Sequence, residues 1–207
     1  MMVPIRSLGP SHRERIAQHL LRLGPDDRYL RFGYAASDAQ IRRYAEQLDF
    51  DRDEIFGIYN RRLQLIAMAH LAFSECPEHR QCAEFGVSVL KQARGRGLGA
   101  RLFERAVVHA RNAGVNMVFI HALSENTAML NIARKAGATV RRDGSESEAY
   151  LHLPPARLDT HMTELVEQHI GEMDYQIKRQ AKQFWDFLAA LQQLRSGVQD
   201  ARHQAAE

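Results

Sequence analysis

The sequence predicts a mixed α/β (α+β) domain, in which a mostly antiparallel sheet is flanked by helices, followed by a C-terminal helical extension. Three strand-like runs precede a glycine-rich loop, and a helix, a strand and another helix follow that loop. Pro154 and Pro155 interrupt this order, and the composition after them is helical throughout. We therefore expect a domain over residues 1–154 and an extension over residues 155–207.

The composition is that of an ordinary globular protein. The 207 residues are 45% hydrophobic and 26% charged, enough for one buried core and an accessory element. The net charge of +3 gives no general attraction for nucleic acid, so we expect no nucleic-acid partner.

Compartment signals are few. Cys76 and Cys82 form neither a C-x-x-C pair nor a disulfide framework. Met1 to Arg6 lacks the features of a signal peptide, and no run approaches the ~18 apolar residues of a membrane span. We expect a reduced, cytoplasmic protein that does not engage a membrane.

The N-terminal elements follow from periodicity and break signals. A short strand is predicted over residues 3–8 and a helix over residues 12–23, which Gly24 and Pro25 end. Ser37 is an N-cap candidate for a second helix. Strands are then predicted over residues 54–59, 63–73 and 83–90, the first two joined as a hairpin.

The C-terminal half of the domain alternates helix and strand. A helix is predicted over residues 98–112, a buried strand over residues 115–122 and a helix over residues 126–136. A final strand is predicted over residues 149–153.

The loop with Gly95, Gly97 and Gly99 carries the strongest chemical signal. A strand that runs through such a loop into a helix leaves the first backbone N–H groups of the helix unpaired, and an anion such as phosphate fits there. Arg94 and Arg96 can add positive charge at the rim. The other interpretation is a glycine-rich turn with incidental arginines.

Two other phosphate-binding loops compete with this interpretation. A P-loop requires Gly-Lys-Ser/Thr, and the sequence has Gly99-Ala100-Arg101 instead. Residues 95–100 do satisfy the dinucleotide pattern G-x-G-x-x-A. That pattern belongs to a parallel βαβ unit with an acidic residue at the end of its second strand, whereas here a hairpin precedes the loop and the strand ends in Ile120-His121-Ala122.

Gln92-x-x-Gly95-x-Gly97 resembles the pyrophosphate-binding motif of the GNAT N-acetyltransferase superfamily, and the order of elements over residues 1–153 is similar to that of the family. Three further segments resemble the acetyltransferase domain of bacterial protein-lysine acetyltransferases: Arg28 to Phe32, Ala83 to Val89 and Leu123 to Met129.

The resemblance implies the GNAT fold and acetyl-CoA as acetyl donor, with no metal. It implies that the strand at 87–89 pairs with the pantetheine arm and that the amides of residues 94–99 hold the pyrophosphate. The implied coenzyme-binding residues are Val87, Ser88, Val89, Gln92, Arg94, Gly95, Arg96, Gly97, Leu98, Gly99, Asn126 and Met129. Asn126 is equally expected to cap the following helix, and both roles are compatible.

Acetyl transfer to an amine requires a base, a polarised carbonyl and protonation of the leaving thiolate. Glu84 is the candidate base, with a solvated strand-face glutamate as the alternative. Many family members supply the acid from a tyrosine at the position of Ala133, so Ser124, His121 or water is expected to substitute, or the thiolate leaves unaided. His121 is more easily explained as a packed strand-end residue.

The residues after Pro155 repeat apolar side chains at helical spacing, which predicts one long helix or a helical hairpin. Phe184, Trp185 and Phe187 form a patch that we expect to pack on the domain or on a second copy in a homodimer. The basic and aromatic segment from Tyr29 to Tyr44 suits an acidic or amphipathic acceptor but does not identify one.

Two functions follow. The first is an acetyl-CoA-dependent N-acetyltransferase, a transferase of the acyltransferase class, that acts on a primary amine of a small molecule or a protein lysine by direct attack in a ternary complex. The alternative is a non-catalytic acyl-CoA-sensing or scaffold protein whose tail binds a partner.

Overall fold

The computed structural model describes residues 3–74, 81–156 and 158–204, with side chains of the last helix described at 160–183 and 186. One seven-stranded sheet lies at its centre. Its strands are β1 (Arg6–Ser7), β2 (Glu54–Tyr59), β3 (Leu65–Phe73), β4 (Cys82–Val89), β5 (Met117–Leu123), β6 (Thr139–Asp143) and β7 (Glu146–His152). Their order is β1-β2-β3-β4-β5-β7-β6. Among the strands of the described residues, only β4 and β5 pair in parallel, so the predicted fold class is confirmed.

Helices cover both faces of the sheet. They are α1 (Arg13–Leu21), α2 (Pro25–Phe32), α3 (Asp38–Glu46), α4 (Leu98–Asn112), α5 (Thr127–Lys135) and α6 (Leu158–Gln204). His19 of α1 bonds to Ser88 of β4, whereas Phe103 of α4 packs edge-to-face on Phe85 with ring centroids 4.9 Å apart. Neighbouring residues of a strand point to opposite faces, so α1 and α4 lie on opposite sides of the sheet.

The interior is filled from both layers. The largest fully buried side chains are Phe56, Phe85, Phe103, Ile16, Leu20, Ile41, Ile55, Met68, Leu71, Leu90, Leu102 and Ile120. Burial of each such side chain stabilises the fold by roughly 1.5–3 kcal/mol relative to exposure. They fix the sheet against α1, α3 and α4.

Neither α2 nor β6 was predicted from the sequence. α1 ends at Leu21, and Gly24 and Pro25 instead begin α2, with Pro25 in its first turn and Gly33 closing it at φ 78°. β6 was not predicted, because three of its five residues are Arg141, Arg142 and Asp143, and a solvent-exposed edge strand needs no apolar alternation.

The extension is one helix. At about 1.5 Å per residue, its 47 residues span roughly 70 Å. Its first half packs on the domain through Thr160, Gly171 and Tyr175, all buried. A Cβ at Gly171 would lie 2.0 Å from the Ile5 carbonyl oxygen, so this close approach requires glycine.

Several apolar side chains of α6 lie away from the face that docks on the domain. Met162, Leu165, Met173 and Ile177 are 59–64% exposed, so these residues of α6 do not pack on the domain. The side chains of Phe184, Trp185 and Phe187, and residue Cys76, lie outside the described residues. Among the helices in the described part of the chain, none is both long and apolar enough to cross a membrane.

Candidate functional site

A cleft of about 940 Å³ opens where β4 and β5 separate. The two strands pair only from Cys82 to Glu84 on β4 and from Met117 to Phe119 on β5. Beyond this point β4 continues to Val89 and β5 to Leu123, and the described residues show no pairing between them. Side chains of α2, α5 and the glycine loop complete the walls.

The edge of β4 that faces the cleft presents free backbone groups. Leu90 N–H donates to the Ile66 carbonyl at 3.0 Å, so the backbone groups of even-numbered β4 residues point toward β3. Those of Val87 and Val89 therefore point into the cleft. Arg94 Nε donates to the Val89 carbonyl at 3.2 Å, which leaves Val87 to pair with a ligand that carries amide groups.

The glycine loop ends in the N-terminus of α4. Gly95 and Gly97 have φ of 74° and 72°, in the left-handed region, and a Cβ at either would meet no atom within 4 Å. Backbone conformation, and not space, is therefore what requires glycine. The first intrahelical bond runs from Arg101 N–H to the Gly97 carbonyl at 3.1 Å, so the preceding amides are available to an anion.

Most of the predicted coenzyme-binding residues line this cleft. They are Val87, Ser88, Val89, Arg94, Gly95, Gly97, Leu98, Gly99, Asn126 and Met129. Gln92 and Arg96 are exposed and lie outside its lining. Arg94 forms an ion pair with Asp27 of α2 at 2.5 Å, so part of the positive charge expected at the loop is neutralised within the protein.

Asn126 caps α5, as expected. Its Oδ1 accepts from Met129 N–H at 3.2 Å, and its Nδ2 donates to the Leu30 carbonyl at 3.4 Å. The second bond joins α5 to α2 across the cleft, so Asn126 supports both walls while its side chain lines the cavity.

The Ser88 hydroxyl is bonded within the protein, and its backbone groups point toward β3. The hydroxyl donates to His19 Nε2 at 2.8 Å on the side of α1. His19 Nδ1 carries the proton, because it bonds at 2.9 Å to the Leu65 carbonyl, which can only accept. Burial lowers the pKa of His19 to about 4, so the ring is neutral near pH 7.

Glu84 lies where β4 and β5 part. It is the last β4 residue paired with β5, and its exposed side chain lines the cleft. By alternation it shares a face with Gly86 and Ser88, the face that α1 and α2 cover. A carboxylate at this position can reach a group that enters between α2 and β4.

Four hydrogen-bonded side chains form a chain that ends at the cleft. Asp53 Oδ2 accepts from His70 Nε2 at 2.9 Å, His70 Nδ1 accepts from the Tyr44 hydroxyl at 2.8 Å, and the Tyr44 oxygen accepts from Arg31 Nη2 at 3.0 Å. Burial lowers the pKa of His70 and raises that of Tyr44, so both are neutral near pH 7. Arg31 lines the cleft at the end of this chain.

The candidate proton donors for the leaving thiolate differ in whether they line the cleft. The Ser124 hydroxyl lies 2.8–3.2 Å from Ser147 Oγ and the carbonyls of Gly144 and Glu146, outside the cleft lining. Ala133 is fully buried and also outside the lining. His121 lines the cleft, with its Nε2 3.1 Å from Glu146 Oε2.

Sequence reasoning missed the chain behind Arg31. The segment from Tyr29 to Tyr44 was noted for its basic and aromatic side chains, which is the signal for Arg31 and Tyr44. Asp53 and His70 gave no signal, because they precede or lie within separate strands and meet only in the folded sheet.

Comparison with known proteins gives one consistent result. Residues 17–138 match the acetyltransferase (GNAT) family. The chain is 26% identical over 160 residues to an acetyltransferase of Pseudomonas aeruginosa, covering 72% of this chain and 82% of that protein.

Solved structures show the same fold. The GNAT domain of a Streptomyces lividans protein named PAT superposes with a TM-score of 0.61 at 20% identity, covering 72% of this chain and 89% of that one. An acetyltransferase of Salmonella typhimurium, solved with its cofactor acetyl-CoA, gives a TM-score of 0.59 at 16% identity, covering 76% and 97%.

Proposed function

Because this chain belongs to the acetyltransferase (GNAT) family, we propose that it is an N-acetyltransferase that moves an acetyl group from acetyl-CoA to a primary amine by direct attack in a ternary complex. The observation that carries the proposal is the continuity of three features in one cleft. These are the open edge of β4 at Val87, the amides before Arg101 and the carboxylate of Glu84.

The residues present fit acetyl-CoA. The amides at the start of α4 bind the pyrophosphate, since Gly95 and Gly97 leave no side chain over them. The Val87 carbonyl accepts a hydrogen bond from a pantetheine amide N–H in the manner of an added strand. When bound, the coenzyme supplies an acetyl thioester. Gln92 and Arg96 are exposed outside the cleft lining, so we propose no direct contact between them and the coenzyme.

Glu84 prepares the acceptor. The amine must be neutral to attack, so Glu84 accepts a proton from it directly or through water. Val87 N–H donates to the acetyl carbonyl oxygen and polarises it. The amine nitrogen forms the C–N bond, the C–S bond breaks, and the products are the N-acetylated amine and the CoA thiolate, which takes up a proton.

The source of that last proton stays a prediction. Ser124 would have to leave three oxygen partners and turn into the cleft to supply it. A thiol pKa near 8.5 makes a thiolate a leaving group that water can protonate without a dedicated acid. We therefore propose water, with His121 at the cleft wall as the residue that orients it.

CoA release across amines and lysine peptides tests the proposal. We expect Glu84→Gln to lower kcat by about 10²- to 10⁴-fold. Calorimetry should give acetyl-CoA dissociation constants for wild type and variant within about threefold, because the carboxylate is proposed to act on the amine and not on the coenzyme. The matched control is Glu46→Gln, an exposed glutamate of α3 outside the cleft, which should retain full kcat.

Two outcomes contradict the proposal in different ways. Absence of acetyl-CoA binding by the wild type would remove the coenzyme site. Binding without turnover above the Glu84→Gln level for every acceptor would instead support the non-catalytic acyl-CoA sensor.

The compartment and the oligomeric state of the protein are also proposals. We propose that it acts in the cytoplasm and forms a homodimer through the exposed apolar side chains of α6, Met162, Leu165, Val166, Met173 and Ile177.

A further inference from the structure

We infer that Arg31 binds a carboxylate of the acceptor, so that the acceptor is an amine that carries a carboxylate close to its amino group. The inference rests on the proposed function, because it names the substrate class of the same cleft. It goes beyond the transfer chemistry, which needs only an amine.

Arg31 occupies the acceptor side of β4. Its guanidinium covers Gly86 so closely that a Cβ there would lie 2.7 Å from Arg31 Cζ. Gly86 follows Glu84 by two residues on the same strand face, a separation of about 7 Å along the strand. The proposed base and this cation therefore face the same space within reach of one small molecule.

No carboxylate in the described part of the chain neutralises the charge of Arg31, and the Tyr44 hydroxyl is the acceptor that it bonds. Two neighbouring arginines differ: Arg28 pairs with Asp38 at 2.7 Å and Arg94 pairs with Asp27 at 2.5 Å. A guanidinium has five N–H donors, so Arg31 retains donors for a ligand.

Arg31 is also held in place. Its Cζ lies 5.3 Å from the ring centroid of Phe32 and 5.7 Å from that of Tyr44. Tyr44 is fixed in turn by His70 and Asp53, and Asp53 is itself buried and paired with Arg52 at 3.0 Å. A side chain fixed before binding loses less conformational entropy when a ligand arrives, which favours binding over a merely solvated arginine.

A carboxylate is the anion that fits this arrangement. The planar guanidinium matches a carboxylate with two parallel hydrogen bonds. The negative charge of Glu84 repels a second carboxylate and attracts an amine. Glu84 and Arg31 together therefore recognise a molecule that carries both an amine and a carboxylate. Free amino acids and peptides with an acidic residue beside the amine both offer this chemistry.

Matched acceptors distinguish charge from shape. One arm compares free L-amino acids with their amides, and the other compares lysine peptides with aspartate or asparagine beside the lysine. In the arm that matches the natural type of acceptor, we expect the acceptor with the carboxylate to have a KM about 10- to 100-fold lower than that of its amide counterpart. Arg31→Gln should bring the ratio of the two KM values close to one. Tyr44→Phe should reduce that ratio partially, because it removes the hydroxyl that holds Arg31.

A matched control and a binding measurement complete the design. Arg43→Gln changes an exposed arginine outside the cleft lining and should keep the wild-type ratio. Calorimetric titration with an N-acetyl amino acid needs no turnover. Wild type should bind it at least tenfold more tightly than Arg31→Gln does, and the corresponding N-acetyl amide should bind both proteins equally.

The outcomes separate the two proposals. If turnover occurs but no arm favours the carboxylate member, or if Arg31→Gln keeps the preference, Arg31 does not select the acceptor and the transferase proposal stands. If no acceptor is turned over, the transferase proposal fails. The N-acetyl titration then decides about Arg31 by itself.

Discussion

At the scale of single residues, His19 is a buried histidine outside the cleft lining. The ring is 1% exposed, bonded to Leu65 and Ser88, and burial lowers its pKa to about 4. It thereby ties α1 to the strand edges of β3 and β4. A neutral histidine serves this purpose because one ring nitrogen donates and the other accepts.

We predict that His19 makes stability depend on pH between about 6.5 and about 4. In this window His19 binds a proton in the unfolded chain but not in the folded protein, so the free energy of unfolding falls as the pH falls. The full effect is roughly 3 kcal/mol, and above pH 6.5 it is absent. Urea denaturation at several pH values, for wild type and His19→Gln, measures it.

The variant should show the shallower pH dependence, and its control is His152→Gln, which changes an exposed histidine. Burial also lowers the pKa values of His12 and His70, which contribute equally in all three proteins and cancel in the difference. Equal slopes for wild type and His19→Gln would show that the ring is protonated in the folded state.

At the scale of elements, the N-cap residue of α5 has two structural roles. Asn126 satisfies the Met129 N–H at the start of the helix and also bonds the Leu30 carbonyl of α2. The first task is local to α5, and the second links two walls of the cleft. Substitutions can separate them.

We predict that Asn126→Ala costs about 1 kcal/mol of stability, because it removes the cap. Asn126→Asp keeps an acceptor for Met129 N–H and places a negative charge at a helix N-terminus, so its stability should stay near that of wild type. Both lose the donor to Leu30. Urea denaturation measures the loss of the cap. Calorimetry with acetyl-CoA measures the loss of the link to Leu30, as weaker binding by both variants.

An aspartate variant as unstable as the alanine variant would mean that the link to α2, and not the cap, stabilises this region.

At the scale of the whole molecule, hydrogen bonds and ion pairs join the start of α6 to α4. Glu164 accepts from His109 Nδ1 and Asn112 Nδ2, each at 2.5 Å, and lies 3.1 Å from the buried Arg105. Burial alone would raise the pKa of Glu164, but these hydrogen bonds and charges lower it to about 2. This cluster fastens the start of α6 to the C-terminal half of α4.

We predict that Glu164→Gln destabilises the protein at pH 7 by on the order of 2–3 kcal/mol. The carboxylate stabilises the fold above its unfolded pKa near 4.5, and this stabilisation is lost as the pH falls toward 2. The two proteins should therefore converge in acid. Thermal and urea unfolding between pH 7 and pH 2.5 follow the difference.

Asp186→Asn is the control on the same helix, since it breaks an exposed ion pair with Lys182. It should cost less than about 0.5 kcal/mol. A Glu164→Gln effect as small as this control would mean that the cluster contributes no net stability.

The sequence by itself determined the elements whose signals lie within a few residues. The bounds of β2 and α4 agree with the prediction, and Ser37 and Asn126 cap the helices assigned to them. The glycine loop belongs to the same group. Periodicity, capping and left-handed turns are local properties of the backbone, so they can be read without a fold.

Only the tertiary structure decided the rest. The separation of β4 from β5, the hydroxyl of Ser88 turned toward His19, and the chain behind Arg31 each depend on residues distant in sequence. So does the face of α6 that docks, which is chosen by the close fit of Gly171 and Tyr175 and not by the most apolar stripe. The physical reason is that these features are set by pairwise packing and hydrogen bonding between elements, whose energies exist only once the elements meet.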